Sequence, residues 1–199
     1  RCTPRSALFS WPKGWPSPSA SPPASCPPAA PPASTPSPHC GPNKKLAKRY
    51  LGGYAVILRL TVDDYHHYCY VADGEKSPDV KIPGVFHTVN PAANDVCQIY
   101  HENTREYCLL KTEQFGTIAM MEVGAMMVGK ITNLKPGACE VKKGEEKGYF
   151  EFGGSTIVLL LQHGKVRLDS DLIENSENGY ETIVRMGERI GKCKLPKRA

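Results

Sequence analysis

The chain has 199 residues and a formal net charge of +5, from 25 Lys and Arg against 20 Asp and Glu. No basic stripe with interleaved aromatics occurs, so nothing argues for nucleic-acid binding. No run approaches the ~18 apolar residues of a membrane span, so any membrane contact is expected to be peripheral.

Residues 1–43 hold thirteen of the eighteen prolines, three basic residues and no acidic one. With Ser and Ala between the prolines, they show no periodic apolar pattern. Such a segment buries too little surface to offset its ordering entropy and is expected to be disordered or polyproline-like. It also lacks the apolar stretch of a signal peptide. Residues 44–199 are long enough for one domain, and their 22 basic and 20 acidic residues nearly balance.

Within that domain, residues 54–62 (Tyr-Ala-Val-Ile-Leu-Arg-Leu-Thr-Val) are β-rich and lead into Asp63-Asp64-Tyr65-His66-His67. Turn signals follow at Asp73-Gly74 and Pro83-Gly84. A short strand is expected over 86–89. A helix is expected over 92–103, with Asn90 as N-cap and Pro91 in its first turn. Residues 105–112 alternate as a strand; 116–131 read as two strands or one bent at Gly124 and Gly129. Residues 142–148 form a charged hairpin, 150–161 and 165–168 the last strong strands, and 181–189 a short helix. The fold class is α+β, predominantly antiparallel β of sandwich or barrel type, with one or two short helices. Met120, Met121, Met126 and Met127 are expected in the core.

At residues 152–161 two glycines precede a serine at the mouth of an apolar, β-branched run, Thr156-Ile157-Val158-Leu159-Leu160-Leu161. A turn before a core strand is the plainer reading of that segment alone. Yet glycines there relax the backbone, and a serine with a base nearby is able to attack its own preceding carbonyl. Three further segments bear on the choice. They are Leu60-Thr61-Val62-Asp63-Asp64-Tyr65-His66-His67, Pro83-Gly84-Val85-Phe86-His87-Thr88-Val89-Asn90-Pro91, and Phe115 to Ile131 with its Glu122-Val123-Gly124-Ala125-Met126-Met127-Val128-Gly129 centre. In this order, and ending in Lys147-Gly148-Tyr149-Phe150 and Gly153-Gly154-Ser155-Thr156, they resemble the phosphatidylserine decarboxylase family over roughly residues 50–168.

The resemblance implies a proenzyme that cuts itself between Gly154 and Ser155. It implies a β-chain ending at Gly154 and an α-chain beginning with a pyruvoyl group made from Ser155, the two remaining associated. His66 would be the base for Ser155, with Asp64 orienting its imidazole in the manner of a triad. The mature enzyme would convert phosphatidylserine to phosphatidylethanolamine and carbon dioxide through a Schiff base on the pyruvoyl group. His87 would protonate the product carbon, inside a pocket lined by Phe86, Val89 and Phe152. His67 would face away from His66. The family commonly has a second histidine where this chain has Cys69, and Leu-Gly-Ser-Thr where this chain has Gly153-Gly154-Ser155-Thr156. The family's N-terminal helical docking region is replaced here by the Pro-rich segment.

Two alternatives stand beside the lipid reading. One is a pyruvoyl-dependent decarboxylase of a small soluble amino acid; the other is a non-catalytic lipid-binding β-domain. The eight cysteines have irregular spacing and no CxxC pair, so no metal site is expected. Free thiols fit an intracellular protein, peripheral to a membrane. A homodimer is compatible with all of this.

Overall fold

The computed structural model describes residues 5–9, 44–61, 63–85, 87, 102–125, 130–151 and 155–194, with the backbone alone at 5–9, 44 and 155. Strand β1 (Arg5–Phe9) is followed by helix α1 (Lys44–Tyr50) and β2 (Tyr54–Leu60). Then come β3 (His67–Cys69), β4 (Gly74–Lys76), β5 (Val80–Ile82), β6 (Arg105–Thr112) and β7 (Gly116–Val123). The chain continues through β8 (Lys130–Asn133), β9 (Cys139–Val141), β10 (Glu146–Glu151), β11 (Ser155–Leu161) and β12 (Val166–Leu168). Helix α2 (Ser170–Glu177), β13 (Thr182–Arg185) and β14 (Gly191–Cys193) close the described part.

Among the described residues the main sheet has nine strands in the order β13-β1-β2-β11-β7-β6-β4-β9, with β5 also on β6. A three-stranded sheet runs β3-β10-β8, and β12 pairs with β14. Every ladder between these strands is antiparallel. The period-2 pattern of β2 and β11 explains their central place. Val56 and Leu60, with Ile157, Leu159 and Leu161, are each at most 6% exposed. Burying such a side chain contributes about 1.5–3 kcal/mol. Tyr68 and Phe150 of the smaller sheet join the same core, their rings 5.0 Å apart. Met120 is in that core as well, and Met121 is half-buried; Met126 and Met127 lie outside the described residues.

Three sequence expectations change. The helix expected over 181–189 is instead β13 followed by a turn, and the helix lies at Ser170–Glu177. The β-branched Thr182-Ile183-Val184 run pairs with β1, whereas Leu172 gives the upstream segment its buried face. The run expected as one strand over 150–161 is two strands in two different sheets, interrupted at 152–154. Residues 5–9, expected in the disordered segment, form β1 between β2 and β13. The rest of 1–43, the strand at 86–89 apart from His87, and the helix at 92–103 apart from its last two residues lie outside the described residues.

Candidate active site

Strand β2 ends at Leu60, whose Cα stands opposite Ser155 at the first position of β11. The chain then turns. The Asp64 N–H donates to the Thr61 carbonyl at 3.1 Å, and the Thr61 N–H donates to Asp64 Oδ2 at 2.7 Å. The Thr61 hydroxyl lies 2.9 Å from the same carboxylate and 2.6 Å from that of Asp63. This local knot uses the Asp64 side chain to hold the turn.

The turn delivers His66. Its Nδ1 lies 2.7 Å from the main-chain carbonyl of Asp64. A carbonyl only accepts, so Nδ1 carries a hydrogen, and in the neutral imidazole Nε2 is then the atom with the lone pair. Nε2 is buried and has no partner among the described residues. The His66 carbonyl accepts from the Phe150 N–H at 3.0 Å, and its ring meets Phe150 edge-on at 6.5 Å. His66 is thereby fixed to β10, the strand that precedes residues 152–154. Gly154, Phe152 and the side chain of Ser155 lie outside the described residues. The Asp64 atom that meets His66 Nδ1 is its backbone carbonyl, while its carboxylate accepts from the Thr61 N–H.

His67 turns the other way. Its ring stacks between Tyr65 at 4.5 Å and Tyr149 at 5.1 Å, and its Nδ1 lies 2.5 Å from Glu146 Oε1 on a half-exposed surface. Cys69 is half-buried on β3 opposite Glu146, and burial pushes its thiol up from the usual range.

His87 reaches the same end of the main sheet from the opposite side. Thr156 pairs with Val123, and the next residue, Gly124, donates to the Thr104 carbonyl at 2.9 Å. Asn103, 1% exposed, donates through Nδ2 to the Gly124 carbonyl at 2.7 Å and the His87 carbonyl at 2.9 Å. It accepts from the His87 N–H at 2.8 Å. His87 Nε2 lies 3.6 Å from Glu102 Oε2. Sequence reading gave Asn103 and Glu102 no role, because they sit at the end of a segment expected as helix and match no motif.

Residues 37–192 match the family model described as phosphatidylserine decarboxylase. The chain belongs to that family. Its relatives include the phosphatidylserine decarboxylase proenzyme 2 of Clostridium acetobutylicum, 48% identical over 150 residues that cover 75% of this chain and 51% of that protein. The phosphatidylserine decarboxylase proenzyme of Fusobacterium nucleatum is 48% identical over 153 residues, covering 76% and 51% of the two chains. The proenzyme of Clostridium botulinum strain Eklund 17B is 44% identical over 150 residues, covering 75% and 51%. The chain thus spans about half the length of the curated relatives it matches. No solved structure matches it. Among the described residues, no helix is long and apolar enough to cross a membrane.

Proposed function

We propose that this chain is the self-processing part of a phosphatidylserine decarboxylase. The observation that carries this reading is the buried Nε2 of His66, without a partner among the described residues, on the turn that leaves β2 opposite Ser155. An imidazole with Nδ1 held by a carbonyl and Nε2 out of water is prepared to take a proton from a hydroxyl. In the proposed step His66 Nε2 takes the Ser155 Oγ hydrogen as Oγ attacks the Gly154 carbonyl carbon. The C–N bond breaks as the C–O ester bond forms, and the amine takes the proton. Loss of the Ser155 α-hydrogen and of the Gly154 carboxylate then leaves a dehydroalanine, which water converts to a ketone and ammonia. The products are chains of 154 and 45 residues.

The pyruvoyl group so formed supplies an electron sink for carboxylate loss from an amine substrate. The residues present fit it. The acyl group would begin β11, flanked by β2 on one side and β7 on the other. His87, with Glu102 3.6 Å from its Nε2, is assigned the delivery of the proton to the substrate's α-carbon. Phosphatidylserine is the substrate proposed, with peripheral membrane contact.

Mass spectrometry of the purified protein tests the reading. Two chains, one ending at residue 154 and one beginning at residue 155 with a ketone in place of its amine, are expected. Ser155→Ala is expected to stay one chain. A wild-type protein that remains intact overturns the proposal. Release of carbon dioxide from phosphatidylserine vesicles but not from free serine is expected, and the reverse would move the substrate to a soluble amino acid. His87→Ala is expected to cleave itself yet lose most decarboxylation.

A further inference from the structure

Strand β10 breaks its own alternation. Along Glu146–Glu151 the buried positions are Lys147, Gly148 and Phe150, which do not fall two apart. The cause is a bulge. Glu146 pairs with Cys69 and Gly148 with Tyr68, so Lys147 is an extra residue against β3. That extra residue carries a charge into the core, for Lys147 is 0% exposed.

Its ammonium donates to Glu122 Oε2 at 2.7 Å and to Asn133 Oδ1 at 2.7 Å. Glu122, on β7, is also 0% exposed. Asn133, on β8, donates in turn to Glu106 at 2.9 Å. The next residue must be glycine, because a Cβ at Gly148 would lie 2.1 Å from the Thr132 carbonyl oxygen. Bulge, ion pair and close approach therefore fix β10 against β3, β7 and β8 at one point.

A buried ion pair gains little stability over apolar side chains of the same size, since desolvation offsets its attraction. What it does supply is register. A slip of β10 by one residue would turn Lys147 outward and leave Glu122 buried without its cation. Register matters at the far end of this strand. Three positions beyond Lys147, Phe150 holds the His66 carbonyl. Only residues 152–154 then separate Glu151, in the smaller sheet, from Ser155, in the main sheet. Glu122 meanwhile pairs with Ile157, two residues into β11. The ion pair thus ties together the strands on both sides of the junction.

We propose that Lys147 and Glu122 are positioning residues for self-processing: the β10 bulge and its buried ion pair set the register that brings His66 to the 154–155 junction. This inference rests on the self-cleavage proposed above.

The experiment follows self-cleavage after refolding from urea, for wild type, for Glu122→Leu with Lys147→Met, and for Lys147→Met alone. The double variant replaces the pair by apolar side chains of similar volume, and its thermal midpoint should stay close to wild type. In the single variant the buried Glu122 carboxyl is able to take a proton instead of staying charged, so that chain should also fold. The expected result is cleavage slowed about 10–100-fold in both, the scale of a displaced reacting group. The plateau of the cleavage rate against pH should fall in both variants while the shape of the profile is kept. Folded variants that cleave at the wild-type rate overturn this inference and leave the proposed function standing. A wild-type chain that never cleaves overturns the proposed function and this inference with it.

Discussion

Asp64 acts twice at the scale of one residue. Its carboxylate ties the Thr61 turn, and its backbone carbonyl fixes the tautomer of His66. His66→Ala should therefore accumulate uncleaved chain, with the rate down about 10²–10⁴-fold. Asp64→Asn keeps an oxygen able to accept from the Thr61 N–H and should slow cleavage less than Asp64→Ala; a time course on denaturing gels measures both. Equal rates for the two would remove the turn-holding role. Glu122 supplies the pH dependence. Burial is the largest influence on it and raises its carboxyl from 4.5 to about 7, against the attraction of Lys147. The groups facing it are Lys147, Asp79 and Asn133, with Glu106 bonded to Asn133. A folded value above the unfolded one means the unfolded chain releases this proton first. The stability this group contributes is present below 4.5 and lost as pH rises through about 7. Glu122→Gln should lack that decline. The midpoint of the variant minus that of wild type should grow from about pH 5 to about pH 8. A difference that shrinks would contradict the sign.

At the scale of elements, strands with strict alternation were legible. Arg105–Thr112 forms β6 with the bounds its pattern predicts, because one face is buried and the other is not. The error at 181–189 has a simple cause. Charged residues around Thr182-Ile183-Val184 look like a solvated helix, while the pairing that makes it a strand comes from β1, far away in sequence. β1 itself was not legible, since proline content dominates residues 1–43. Its position changes the expectation for truncation. Composition makes residues 1–43 dispensable to folding, but β1 pairs with both β2 and β13. A chain starting at residue 44 would leave both strands unpaired on that side. Its midpoint should fall about 3–10 °C. Self-cleavage should persist, because neither His66 nor the Ser155–Leu60 pairing involves β1. An unchanged midpoint would show that β1 adds nothing to stability.

For the whole molecule, cleavage after Gly154 would cut the covalent chain but not the sheet. β11 is an interior strand, paired over seven residues with β2 and over five with β7. The 154- and 45-residue products should therefore elute together on a native sizing column and separate only in denaturant. Separation under native conditions would mean that β11 is not held as described. The sequence by itself determined the family and the proposed chemistry. The Gly154-Ser155 bond is a covalent neighbour relation, and the Asp64 to His66 spacing is local, so both survive without knowledge of the fold. The hydrophobic period of β2, β6, β7 and β11 likewise needs only adjacent residues. Tertiary structure alone decided which atom of Asp64 fixes His66, where Asn103 joins His87 to Gly124, and that Lys147 meets Glu122 inside the core. Lys147 and Glu122 are 25 residues apart. Strand alternation assigns a lysine to water, and only the bulge at Lys147 reverses that parity. Desolvation and partner geometry arise when distant strands close over a group, and no local pattern encodes them.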